Sequence, residues 1–456
     1  MNVGAPPPFV PPHPPRHPHP VASWRGFFGE RARTAVYGWS QVAFETDHVK
    51  RRILGFTVHV LLNPDSVQHV LLDNAANYAK PDIVKSLLGP IIGRGLLTAD
   101  SDLWRAQRRI VAASFSPAAV DAQRAMFVQA ARSAMADWSH GEHRDMAAEA
   151  TRTTMTVIAL ALFGGDPRLS SERSMRHIAA AIEGFSEARL LALLRLPQVP
   201  LSPRGRAGKR GQNYLRQTLT DVVADRWSGR MTGDFLSGMI DALRQRFSDD
   251  EARALAIDNA ATFYLAGHET TANALTWTLF LLAAQPELQA ELAVEARSAL
   301  AGGETDGPLT DRLPRLRLML MESLRLYPPV PRFDRQALAA DRIGDVAVQP
   351  GDIVSIWPWL LHRHTKLWVD PDVFDIERFA GKGAQNRERH RFQYLPFGAG
   401  GRICVGAQFA MTEALTILAH WLSEWRFTEI DHHRVRLAGM VTLRPAGGLP
   451  LRMERR

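Results

Sequence analysis

Residues 53–74, ILGFTVHVLLNPDSVQHVLLDN, carry two hydrophobic rhythms in succession. Strict alternation through Phe56, Val58 and Val60 predicts a half-buried strand, and the Asn63-Pro64 step predicts a helix start. Helical periodicity then dominates from about 100 to 330. Strand and turn chemistry returns in DRIGDVAVQPGDIVSIWPW, with Pro350-Gly351 as the corner. A loop punctuated by Gly and Pro follows, then a last amphipathic helix over roughly 406–425 and the segment VTLRPAGGLPLRM, which predicts a hairpin around Gly447-Gly448. The pattern implies a mainly α chain with a smaller β region, without internal repeats.

One helix stands out. Ser248 with Glu251 three residues on forms a capping box, and apolar residues run from there to WTLFLLAAQP, where Pro286 stops the helix. At 1.5 Å per residue such a helix spans roughly 50 Å. Its middle, LAGHETTAN, is polar inside an apolar rod. Buried polar groups cost about 1–3 kcal/mol each unless paired, and Gly267 costs up to about 1 kcal/mol relative to Ala. A kink or groove that takes a ligand explains both costs; a satisfied hydroxyl network explains the polar residues equally well.

Composition narrows the class. The 456 residues are 46% hydrophobic with a formal net charge of +8, as for a globular chain with a sizeable core. One cysteine rules out an internal disulfide and any multi-cysteine zinc site, and it fits a reducing, cytoplasmic setting. The first twenty residues hold nine prolines, so residues 1–22 read as a mobile, extended arm dispensable for folding, and 23–456 as one domain. His13, His17 and His19 in that arm read as disordered, not as metal ligands. No stretch approaches the roughly 18 apolar residues of a membrane anchor. The basic cluster SPRGRAGKRG, 202–211, reads as a solvated loop, and no nucleic-acid-binding signature is present.

The solitary Cys404 lies in LPFGAGGRICVGAQFA, 395–410, among glycines that let the backbone turn and approach another body closely. A helix starting near Gly406 puts the sulfur at a helix N-terminus, which favours thiolate. A nucleophile wants a neighbouring base, and no His stands in the segment. An axial thiolate on haem iron wants glycines against the porphyrin and cations for its propionates, and Arg402 suits the latter. A dinucleotide loop fails because Ile403 stands where a glycine is required.

FGAGGRICVG, 397–406, resembles the cysteine-ligand loop of the cytochrome P450 family at every fixed position. ESLR (Glu322 to Arg325), FDIERF (374–379) and AGHETT (266–271) match three further family segments in order, and the resemblance covers about residues 25–456. It implies a P450 fold, with haem b between the long central helix and the helix after the cysteine. Cys404 becomes the axial ligand, framed by Phe397, Gly398 and Gly406. Trp104, Arg108, Arg335 and Arg402 become propionate partners, with His362 left out as structural. Ala266 and Gly267 leave room for oxygen, Thr270 hydrogen-bonds it, and Glu269 relays protons, while His268 is helix filler. Glu322, Arg325 and Arg378 become a buried ion network for folding and haem retention.

The activity so implied is insertion of one atom of O2 into a C–H or C=C bond of a lipophilic small molecule. Electrons come ultimately from NAD(P)H through a separate ferredoxin or flavodoxin and its reductase, docking near Arg105 and Arg109 of a monomer. A peroxide-driven or non-oxidative enzyme of the same family is the nearest rival, and retention of Glu269-Thr270 weighs against it. A haem sensor would need an effector domain, and none is visible. Segments 79–97, 182–200 and 327–335, the long helix and the turn near Gly447 are expected to wall the pocket. Arg189 and Arg195 read as surface charges.

Overall fold

In the computed structural model, Ser248 caps the long helix by accepting the Glu251 N–H on its Oγ at 3.4 Å, and the helix runs over Asp249–Ala283. Glu251 turns its carboxylate to Arg94 at 3.5 Å, so the cap is half a capping box. The structure describes residues 8–19, 34–53, 55–193, 199–200, 202–302, 308–381, 389–430, 433–439 and 441–456; Arg189 and Arg195 lie outside the side chains described. Along the central helix Thr270 and Thr271 return their hydroxyls to the carbonyls of Ala266 and Gly267, four residues back. Those bonds meet the polar cost within the helix itself.

Helix Met146–Phe163 packs along the long helix, helices Pro314–Leu326 and Ala407–Glu424 lie against it, and Trp277, Trp359 and Trp421 are fully enclosed between these layers. The β part is peripheral. Strands β1 (His48–Ile53), β2 (Phe56–Leu61) and β3 (Tyr78–Ala79) come early, β4 (His143–Asp145) lies between helices, and β5 (Phe333–Ala337), β6 (Asp341–Ile343), β7 (Val346–Val348) and β8 (Ile353–Ile356) follow the last long helix pair. The main sheet has the order β1-β2-β8-β5-β3, with β2 and β8 parallel. Asn63 caps the short helix Pro64–Gln68 through Oδ1, as the sequence predicts.

Three expectations are corrected. The strands flanking Gly447-Gly448 do not form a hairpin. Strand β11 (Arg444–Pro445) pairs with β10 (Leu437–Ala438), whereas β12 (Pro450–Arg455) joins β4 and β9 (Trp425–Glu429). The two glycines, at φ +84° and +88°, hand the chain from one sheet to another.

The basic stretch 202–211 is not a loop. Pro203 opens helix Pro203–Trp227, and Ser202 Oγ accepts the Gly205 N–H at 2.9 Å. Its glycines serve close packing: a Cβ on Gly208 would stand 2.8 Å from Gly184 Cα, and one on Gly211 2.2 Å from His177 O, both on helix Glu172–Leu193.

The described part of the proline-rich arm is docked. Phe9 O accepts the Phe374 N–H at 3.0 Å, Pro12 O accepts the Tyr327 hydroxyl at 2.7 Å, and Arg16 Nη2 donates to both Asp372 oxygens at 2.6 and 2.5 Å. Prolines hold the chain extended at little entropic cost and leave bare carbonyls as acceptors.

Candidate functional site

The cysteine loop is set by its backbone. Gly398 and Gly400 both take φ +69°, a Cβ on Gly400 would fall 1.9 Å from Leu71 O, and the Cys404 N–H closes the turn on Phe397 O at 2.9 Å. Gly406 then caps helix Ala407–Glu424. Cys404 opens onto a cavity of about 710 Å³ whose wall also includes Trp104, Arg108, Ala266, Gly267, Glu269, Thr270, Arg335, Phe397, Gly398, Arg402 and Gly406. Residues from segments more than 300 positions apart thus meet in one chamber.

A family model for "Cytochrome P450" matches residues 15–447. The chain belongs to the cytochrome P450 family. Cyclooctatin synthase of Streptomyces melanosporofaciens is 32% identical across 89% of this chain and 88% of its own. Cyclooctat-9-en-7-ol 5-monooxygenase of the same organism is 29% identical across 90% and 87%. In three dimensions the crystal structure of the cytochrome P450DA heme domain superposes with a TM-score of 0.78 at 23% identity, covering 97% of this chain and 98% of that one. This P450 is therefore a haem-dependent oxidoreductase of the monooxygenase kind. Among the described residues, no helix is long and apolar enough to cross a membrane.

The residues present fit haem. Cys404 is a single donor, which suits an iron already held in a macrocycle. The cations lining the same cavity include Lys80, Arg108, Arg335 and Arg402, while Arg332 is paired with Asp334 at 3.0 Å and Arg51 lies over the Trp39 ring. Lys80, Arg335 and Arg402 crowd one another: burial and the neighbouring Arg335 and Arg402 lower the Lys80 pKa to about 7, and burial with Arg402 lowers Arg335 to about 10. Asp100 offsets part of the charge, accepting from Arg402 Nη2 at 2.7 Å and from Lys85 Nζ at 2.7 Å. A group bringing two carboxylates would relieve the rest. Lys80 falls in segment 79–97, expected to wall the pocket, but its place among the cations was not foreseen; Ala79 and Pro81 give no sign that the residue after β3 brings its charge to the cavity.

One local expectation changes. A helix N-terminus alone favours thiolate at Cys404, yet burial pushes the thiol pKa up against the Gly406 N–H and the Arg108 charge, which pull it down. Gly267 lines the cavity and also lies close to helix Met146–Phe163, where a Cβ would stand 2.5 Å from Ile158 Cδ1. Trp104 carries the Arg402 guanidinium 4.6 Å above its ring, so the indole supports that arginine.

On the long helix, Thr270 lines the cavity, and Glu269 Oε1 accepts the Thr442 hydroxyl at 2.5 Å. Burial raises the Glu269 pKa, while Thr442 and Arg444 lower it. His268 is 1% exposed and bonds Tyr264 O through Nδ1, which places it among the packing residues. From the C-terminal segment Val441 and Thr442 reach the cavity, and the turn at Gly447 does not. Glu413, on the cysteine helix, is fully buried beside Thr271, and burial holds its pKa well above the carboxylate range.

The ion network lies outside the chamber. Arg325 clasps Glu322 through Nε and Nη2, both at 2.7 Å, and both side chains are 0% exposed. Arg378 Nε stands 3.7 Å from Glu322 and spends its other N–H groups on the carbonyls of Val369, Asp370 and Val373. His362 joins this network to the cysteine loop. Its Nε2 accepts the Leu395 N–H at 2.8 Å and its Nδ1 lies 3.2 Å from Arg325 O, so the proton sits on Nδ1.

Proposed function

We propose that this P450 oxidises a C–H or C=C bond of a lipophilic small molecule, using haem b and electrons that reach it from NAD(P)H through a separate ferredoxin or flavodoxin and its reductase. The observation that carries the reading is the convergence of one thiol, a set of cations that includes Lys80, Arg108, Arg335 and Arg402, and the Glu269-Thr270 pair on a single largely apolar chamber. Bound haem would supply the oxygen-activating chemistry. Cys404 would hold the iron, and Lys80, Arg108, Arg335 and Arg402 would hold the propionates. The iron's positive charge would offset the thiol's burial penalty.

Thr270 lines the chamber, its hydroxyl donating to Ala266 O and leaving the oxygen free to accept, and Glu269 carries protons to that wall. Glu322, Arg325 and Arg378 keep the loop shaped and touch no reactant. Ile83, Val84, Leu87, Leu88, Ile92 and Leu96 form an aliphatic wall, which favours a hydrocarbon-rich substrate. The names of the two Streptomyces relatives support the same direction, since one acts on a hydrocarbon alcohol, cyclooctat-9-en-7-ol. Arg105 and Arg109 lie exposed on helix Ser101–Ala112 and give an acidic carrier a docking face.

Carbon monoxide added to the reduced protein should give the long-wavelength Soret band of thiolate ligation, and Cys404→Ser should abolish it. Persistence of that band in the serine variant refutes the ligand assignment. Spectral titration with lipophilic alcohols, followed by NAD(P)H turnover with a ferredoxin and reductase, then tests the reaction. NAD(P)H consumed without any oxygenated product from bound compounds counts against it.

A further inference from the structure

The C-terminal segment enters the site through one hydroxyl. Thr442 Oγ1 donates to Glu269 Oε1 at 2.5 Å, and the Arg444 guanidinium stands 4.0 Å from the same oxygen. Thr442 is 6% exposed, so little water competes for that contact. The loop that carries it is fixed on both sides. Leu443 donates its N–H to Pro329 O at 2.8 Å and accepts the Trp277 indole N–H at 3.0 Å. Gly439, at φ +110°, accepts the Ala35 N–H at 3.1 Å, and a Cβ on it would lie 1.8 Å from Thr442 O. A threonine locked this firmly presents a preorganised donor to a partly buried acid on the cavity wall.

We propose that Thr442 is a positioning residue for Glu269: its hydroxyl holds the carboxylate turned toward the C-terminal loop and sets when that acid carries a proton. The proposal rests on reading Glu269 as the proton carrier. The groups around Glu269 limit the alternatives. Arg444 is the charge acting on it, His268 on the same helix is committed to Tyr264 O, and the Thr270 hydroxyl is committed to Ala266 O. Thr442 is therefore the neutral donor that stabilises the ionised form against burial.

Infrared difference spectra of the haem-loaded protein across pH report the protonated carboxyl C=O band of Glu269, assigned by its loss in Glu269→Gln. Thr442→Val removes the donor, so the band's titration midpoint should rise by about one pH unit. Thr442→Ser keeps the hydroxyl and should restore the wild-type midpoint. An unchanged midpoint in Thr442→Val, or equal shifts in both variants, overturns the proposal. The underlying reading fails separately: Glu269→Gln would then leave the solvent isotope effect and the peroxide share of consumed electrons unchanged.

Discussion

At the scale of single residues, burial decides which groups carry charge. Burial and two guanidinium groups lower the Lys80 pKa to about 7, an unfavourable arrangement that a haem propionate would relieve. Lys80→Met should speed haem transfer to an apoglobin by about tenfold, the loss of one charge-assisted contact of about 1.5 kcal/mol. Glu413 shows the opposite sign. Its folded pKa lies well above the unfolded value, so the folded protein keeps a proton that the unfolded chain releases. Stability is full below the unfolded pKa and falls as pH rises toward the folded one. Glu413→Gln, neutral and of the same shape, should flatten the decline of Tm between about pH 5 and 8; an unchanged decline would show that the group is ionised when buried. Neither residue had a local signature. A lysine before proline and a glutamate nine residues past the cysteine look like surface charges until their neighbours are in place.

At the scale of elements, the two helices that frame the chamber were legible because their signals are local. Ser248 and the apolar period fixed the long helix, and Gly406 opens the cysteine helix where the glycines end. Helix Pro203–Trp227 was misread because proline, glycine and arginine together resemble a solvated turn. The glycines are there so that its backbone can touch helix Glu172–Leu193. Gly208→Val should drive a side chain into Gly184 Cα and cost about 1–3 kcal/mol in denaturant unfolding. The Glu322–Arg325 pair was recognisable from its spacing, but spacing alone cannot tell a buried pair from a wet one. With both side chains fully enclosed, Glu322→Ala strands Arg325 and should cost about 3–5 kcal/mol, read as a lowered denaturation midpoint with early haem loss.

At the scale of the whole molecule, the N-terminal strap and the ion network form one connected body. Arg16 grips Asp372, which also stands 3.6 Å from the buried Arg363, and the adjoining Pro371 and Val373 carbonyls hold Arg325. Arg16→Ala should therefore lower Tm measurably, by the equivalent of about 1–3 kcal/mol, whereas a dangling arm predicts no change. By itself the sequence determined the helical class, and its resemblance to the P450 family singled out Cys404, the Glu269-Thr270 pair and the Glu322, Arg325 and Arg378 set as candidates. Each motif is a run of residue types at short, fixed spacing, which a one-dimensional pattern preserves. Only the tertiary structure decided that Lys80 joins the cations, that Thr442 holds Glu269, that the proline segment is docked, and that burial raises the Cys404 pKa. Those outcomes depend on dielectric surroundings and on contacts between segments tens to hundreds of residues apart, and neither is written in any local stretch of the chain.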